Sequence, residues 1–131
     1  MIVVDASIVL DLLLRTPSAA AIGQRLFRRN ETLHAPHLID VEFLQVLRRY
    51  WLRHAIDDER AADAIQDFSD LPIERYSHEL LAARVWELKD NLTAYDAVYV
   101  ALAELLEAPL VTADTGLSKA PGTRAAIELI R

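Results

Sequence analysis

Cysteine is absent from the chain. A disulfide framework, a thiolate metal site and a cysteine nucleophile are therefore excluded, and the composition fits a reducing compartment such as the cytoplasm. Long hydrophobic runs are also missing. Met1-Ile2-Val3-Val4 is cut by Asp5 and the next apolar stretch by Asp11, well short of the roughly 18 residues needed to span a bilayer. No basic segment opens the chain, so neither a signal peptide nor a membrane association is expected. Glycine is scarce: Gly23, Gly116 and Gly122 are too scattered to cradle a phosphate, and no nucleotide cofactor is expected. Ser7 and Thr112 have no histidine base beside them, which leaves no serine-hydrolase arrangement. Positive charge is in deficit, with 14 Lys and Arg against 20 Asp and Glu and a net charge of −6. Bulk electrostatics would repel a nucleic acid, so RNA contact has to come from local basic patches. The acidic excess is compatible with such contact where a divalent cation neutralises it.

What is present is apolar substance. Of 131 residues, 53% are hydrophobic, enough for one compact domain over residues 1–131 that buries roughly two-thirds of the surface its unfolded form exposes. Ile2 to Val4 is a β-branched run closed by Asp5 and reads as a buried strand. Ile8, Val9, Leu12 and Leu13 recur at helical spacing from Ser7 to Arg15, and Thr16-Pro17-Ser18 breaks that helix and starts another to about Arg29. Thr32 to Ala35 is a short strand closed by Pro36. Leu38, Val41, Leu44, Leu47 and Trp51 mark the apolar stripe of a long helix to about His54. Asp57-Asp58-Glu59 opens a helix through Phe68, Leu71 to Tyr76 reads as a strand in which Pro72 suits an edge, and a helix spans about Glu79 to Leu88. Thr93 caps an almost wholly apolar helix from Ala94 to Leu106. Pro109 to Ala113 is a strand, Asp114-Thr115-Gly116 opens a short helical turn, and Ala125 to Ile130 is a last edge strand. Strands alternating with helices predict an α/β fold, a three-layer α/β/α sandwich around a mostly parallel sheet of four to five strands.

Four acids fall where strands give way to helices or just inside helix starts: Asp5, Glu42, Asp96 and Asp114. In an open α/β sheet such junctions gather at the carboxyl edge of the strands, where ligands bind. Each acid alone also suits a helix cap. Thr93 with Asp96 resembles a capping box, but the helix of Asp96 has little exposed face and no Lys or Arg within a turn, and an unpaired carboxylate there is costly. Carboxylates brought together repel one another and take up protons unless a cation lies among them. With oxygen as the only donor, that cation is Mg²⁺ or Mn²⁺, and the chemistry it suits is phosphodiester hydrolysis by activated water. His34, His37, His54 and His78 read as surface or capping residues. Arg25, Arg28 and Arg29 on one helix and Arg48, Arg49 and Arg53 on another are the available tracks for an RNA backbone. Tyr50 could stack a base beside them, whereas Trp51 reads as core.

With these residues in place the chain resembles the PIN-domain ribonucleases, in particular the VapC-type toxins of bacterial toxin–antitoxin modules. The matching stretches are Val-Asp-Ala-Ser at 4–7, Ala-Pro-His-Leu-Ile-Asp-Val-Glu-Phe at 35–43 with Leu-Arg-Arg at 47–49, Asn-Leu-Thr-Ala-Tyr-Asp-Ala-Val-Tyr-Val-Ala-Leu-Ala-Glu at 91–104, and Ala-Pro-Leu-Val-Thr-Ala-Asp at 108–114. The resemblance implies metal-ligand or metal-proximal and catalytic roles for Asp5, Glu42, Asp96 and Asp114, with Ser7 and Thr112 as polar supports. It further implies endonucleolytic RNA cleavage, a homodimer, and a cognate VapB-type antitoxin that brings a basic side chain to the acidic site. One departure follows Asp114: Thr115-Gly116-Leu117-Ser118 replaces the basic residues the family often has there, so substrate contacts from that loop do not carry over. Two rival readings are a phosphoacceptor receiver domain and an inactive PIN-fold binding module. The first would want adjacent acids after the first strand and a lysine closing the last, and the second would not need all four acids.

Overall fold

Short runs of apolar residues supply a sheet covered on both faces. The computed structural model describes residues 1–131, and its strands are β1 (Ile2–Val4), β2 (Leu33–Pro36), β3 (Ile73–Tyr76), β4 (Leu110–Thr112) and β5 (Ile127–Leu129). They form one sheet of order β3-β2-β1-β4-β5 in which every neighbouring pair is parallel. Every residue of β1, β2 and β4 is buried, as central strands of a helix-covered parallel sheet require. Pro72 lies just before the edge strand β3, where its missing N–H costs no ladder bond.

Between the strands run α1 (Ala6–Leu13), α2 (Ala19–Leu26), α3 (Leu38–Leu52), α4 (Asp58–Asp70), α5 (Ala82–Glu87, entered through a 3₁₀ turn), α6 (Ala94–Leu106) and α7 (Thr115–Ser118). Helix α1 packs on α2, α3 and α4, whereas α6 packs on α5 and crosses β1 and β2. Right-handed crossovers that move one way from β1 to β3 and the other way to β4 and β5 account for the two helical layers. The three-layer α/β/α sandwich is as expected, and the parallel sheet has five strands. The order reverses between β1 and β4, which opens a crevice at their carboxyl ends. No helix is long and apolar enough to cross a membrane.

Several local expectations are corrected. Helix α2 stops at Leu26 rather than near Arg29, and the helix expected from Glu79 begins only at Ala82. On α3 the buried face is Ile39, Phe43 and Leu47, with Phe43 stacked on Phe68 of α4 at a centroid distance of 4.1 Å. The expected stripe runs instead through exposed Val41, Leu44 and Trp51. Trp51 is a surface residue whose indole N–H donates to Asp58 at 2.7 Å. His34 is buried rather than superficial. Its ring nitrogens meet the Thr32 and Tyr76 hydroxyls, each at 2.8 Å, and burial holds its pKa below the usual histidine range.

Arg25, expected on a solvated basic face, is buried too. Its guanidinium donates to both oxygens of Glu128 on β5, at 2.6 and 3.0 Å, and to Glu31 at 2.8 Å. Glu31 also accepts from the terminal amine, so one arginine joins α2, the edge strand and the start of the chain. Both glutamates are held below their ordinary range. Their contribution is therefore present above about pH 4.5 and is lost as pH falls through the depressed folded values. Arg25→Ala should lower the stability measured by urea unfolding at pH 7 by about 3 kcal/mol, because two partly buried carboxylates lose their counter-charge. The deficit should shrink below pH 4.

Candidate active site

Asp5 directly follows β1 and caps α1, its Oδ1 accepting from the Ile8 N–H at 3.1 Å. Ser7 donates to the same oxygen at 2.7 Å, and Thr112, the last residue of β4, donates to Oδ2. Each hydroxyl also accepts a backbone N–H from the loop beyond β4, Ser7 from Ala113 at 3.1 Å and Thr112 from Asp114 at 3.0 Å. Ser7 and Thr112 thus support Asp5 and simultaneously position the chain that carries Asp114. Although three donors surround it, burial pushes the Asp5 carboxyl above the usual range, and the charge of Asp114 adds to the rise.

Asp114 caps α7 through bonds from Gly116 N–H at 2.8 Å and Leu117 N–H at 3.3 Å. A Cβ on Gly116 would stand 3.2 Å from that accepting oxygen, so the cap is tight against its glycine. Glu42, on the second turn of α3, accepts from the Tyr99 hydroxyl at 2.5 Å. Its pKa is raised by burial and by Asp5 and Asp96, against the lowering effect of Tyr99. Asp96 sits in the first turn of α6, where its own N–H bonds Thr93 at 3.2 Å. Burial raises it first and Asp114 second. All four acids line one cleft of about 220 Å³, together with Ser7, Asp11 and Tyr99, and no Lys or Arg lines it.

The four acids are neighbours by charge but not a closed cage: no three of them converge as a tight ion-holding group. The donor set still fits a hard divalent cation. It is all oxygen, it lacks an internal counter-charge, and its members raise one another's pKa. No histidine lines the cleft; His78 accepts from the first N–H of α3 at 2.8 Å, a capping role.

Two lining residues escaped the reading of the sequence. Asp11 lies one helical turn beyond Ser7, and burial raises its pKa against the pull of Arg131. Tyr99 lies three residues beyond Asp96, and its being the one hydroxyl in a buried helical stretch was the available signal. The basic residues divide. Arg49 and Arg53 follow Glu42 by 7 and 11 positions, hence on nearly the same helical face, and the Arg53 guanidinium lies 5.0 Å over the ring of Tyr50, which lines the cleft. Arg48 instead borders a separate groove with Leu44, Trp51 and Ile65.

Raised folded pKa values at Asp5, Glu42 and Asp96 mean that the metal-free protein binds more protons than its unfolded chain just above the ordinary carboxylate range. These groups therefore subtract stability as pH rises through that window, and the loss is reversed on acidification. Asp96→Asn should raise the stability of chelator-treated protein at pH 7 by up to about 1 kcal/mol, solvent screening keeping the gain small, and should flatten its decline with pH. Asp5→Asn should bring no such gain, because an amide cannot accept from Ser7, Ile8 and Thr112 together. Thermal melting at pH 5 and 8 compares the two; equal behaviour of both variants would contradict this ranking.

The sequence matches the PIN domain family over residues 2–122. It is 40% identical over 130 residues to Ribonuclease VapC12 of Mycobacterium tuberculosis, covering 99% of each chain. To Ribonuclease VapC1 of the same organism it is 42% identical over 130 residues, covering 98% of this chain and 97% of the relative. The fold resembles that of VapBC2 from Rickettsia felis, solved bound to a promoter DNA fragment, with a TM-score of 0.67, 14% identity and all of both chains covered. With an acidic cleft at the switch point of a five-stranded parallel sheet and a family match over nearly its whole length, this chain belongs to the PIN domain family.

Proposed function

We propose that the chain is a metal-dependent endoribonuclease, the toxin of a toxin–antitoxin pair, acting as one domain in the cytoplasm. The observation that carries this reading is Asp5, a buried carboxylate among like charges in a cleft with no Lys or Arg on its walls. Support comes from relatives named as ribonucleases at 40% and 42% identity. Asp5, Glu42, Asp96 and Asp114 are the proposed ligands and catalytic acids for Mg²⁺ or Mn²⁺. Such an ion, when bound, supplies the positive charge that stabilises in-line displacement at a phosphodiester.

The protein's own residues do the rest. Ser7, Thr112 and the Ile8 N–H favour the ionised form of Asp5 against its burial and hold the side chain in place. The Thr112 bond to the Asp114 N–H keeps the fourth acid at the mouth of the cleft. Arg49 and Arg53 continue the Glu42 face outward and meet the phosphates of single-stranded RNA, with Tyr50 held under Arg53 as a surface for a base. Arg48 points toward a different groove and makes the weaker contribution. The proposed binding partners are an antitoxin that places a basic side chain in the cleft, supported by the likeness to VapC-named relatives, and a second copy of the chain. The exposure of the large apolar side chains Leu80, Trp86, Tyr95 and Val41, each at least 65% exposed, supports such contacts.

A receiver-like phosphoacceptor is the poorer reading, since Ala6 and Ser7 follow Asp5 and no lysine reaches the cleft. Incubation with single-stranded RNA under chelator, followed by Mg²⁺ or Mn²⁺ titration, separates the two when run beside acetyl-phosphate labelling. Cleavage should appear only with the ion and fall at least about 100-fold in Asp96→Asn, the scale of losing a charge-stabilising group. Cleavage that survives chelation, or labelling of Asp5, would overturn the proposal. Replacing Arg49 and Arg53 by Ala should raise KM and reduce the salt dependence of RNA binding by about one unit of slope for each phosphate no longer neutralised.

A further inference from the structure

Helix α6 is buried continuously from Ala97 to Ala103, and within that stretch Tyr99 alone carries a hydrogen-bonding side chain. Tyr99 is 2% exposed, and a phenylalanine would fill the same space without the cost of desolvating a phenol. The phenol is not idle: it donates to Glu42 Oε1 across the cleft at 2.5 Å.

Glu42 is the acid that most needs such a partner. Asp5 is fixed by three donors, Asp114 by two backbone N–H groups, and Asp96 has a short side chain rooted in the first turn of α6. Glu42 reaches in from α3 on a longer stem with three torsions, and repulsion from Asp5 and Asp96 would drive it outward. Tyr99 follows Asp96 by three residues, so one face of α6 offers both a carboxylate and the donor that holds its counterpart. The bond occupies Oε1 and leaves the other oxygen of Glu42 free.

We propose that Tyr99 is a positioning residue whose hydroxyl holds the Glu42 carboxylate at a set place relative to Asp5 and Asp96, preforming the cation site before RNA arrives. This rests on the metal-dependent reading above. The test compares Tyr99→Phe, Glu42→Gln and the double variant by calorimetric titration with Mn²⁺ in the absence of RNA and by steady-state cleavage. Tyr99→Phe should bind Mn²⁺ about tenfold more weakly and lose about 10- to 100-fold in kcat at an unchanged KM for RNA, the scale seen when a ligand's hydrogen-bonding partner is removed. In the Glu42→Gln background it should add nothing further, which a general packing defect would not reproduce.

Wild-type Mn²⁺ affinity and kcat in Tyr99→Phe, or losses that simply multiply in the double variant, would overturn the inference and leave the nuclease reading standing. Wild-type protein that binds no Mn²⁺ and cleaves equally well as Glu42→Gln would overturn the nuclease mechanism itself. A second measurement needs no Tyr99 variant. Adding Mn²⁺ to the wild-type protein should shift its tyrosine ultraviolet difference spectrum and leave that of Glu42→Gln unshifted, whereas no shift in the wild type would count against the proposal.

Discussion

The structure turns on a carboxylate kept where a carboxylate is expensive. Asp5 lies at the end of the central strand, 6% exposed, with Asp114 raising its pKa further. Three donors offset part of that cost, and two of them, Ser7 and Thr112, also accept N–H groups from the loop that carries Asp114. One network therefore does two things. It favours the ionised form of the first acid against burial, and it fixes the backbone that brings the fourth acid to the same cleft. The remaining cost is electrostatic, and the cleft walls contain no Lys or Arg to meet it. Elsewhere this chain pairs its partly buried acids with arginine: Glu31 and Glu128 with Arg25, and Glu104 with Arg84. The contrast within one small protein sets the cleft apart as the place where partly buried acids have no arginine partner, which is the feature the proposed cation would answer.

Most of the fold was legible because it depends on local pattern. Runs such as Ile2–Val4 and Leu110–Thr112 are short, apolar and closed by Asp or Ala-Asp, and buried parallel strands require such runs. Once strands and helices alternate, chain direction alone carries Asp5 and Asp114 to adjacent strand ends, and the start of a following or preceding helix carries Glu42 and Asp96 to the same edge. Placing these four required no knowledge of side-chain contacts. Ser7 and Thr112 were legible on weaker grounds, through resemblance, and both hydroxyls donate to Asp5.

What was not legible depends on which of two equally periodic solutions the tertiary structure selects. Helix α3 is apolar over more than half its circumference, so Leu38-Val41-Leu44-Leu47-Trp51 and Ile39-Phe43-Leu47 both satisfy helical spacing. Phe68 on α4 decides between them by stacking on Phe43. Trp51 is expelled by the same choice and finds Asp58 for its indole. Arg25 and His34 were misplaced for another reason. A buried polar side chain is tolerated when distant partners satisfy it, and Glu128 lies 103 residues from Arg25 while Tyr76 lies 42 from His34. Tyr99 belongs to the same class, since its partner Glu42 is 57 residues away.

The face that α3 selects also reconciles an acidic protein with an anionic substrate. Burying Ile39, Phe43 and Leu47 turns Glu42 and Tyr50 into the cleft, and the helical repeat then carries Arg49 and Arg53 outward along the same line. Had the other stripe been buried, Glu42 would have rotated away and the arginines with it. Under the proposed function the acids would repel a phosphodiester until a cation lay among them, whereas the arginines would attract its flanking phosphates with or without one. Net charge is thus a poor guide to what this surface binds, because charge is sorted along one helix: carboxylate at the start, guanidinium toward the end. An RNA strand lying along α3 would meet attraction at its flanks and a conditional barrier at the scissile bond. On the proposed function, that ordering would make RNA binding less sensitive to the divalent ion than RNA cleavage.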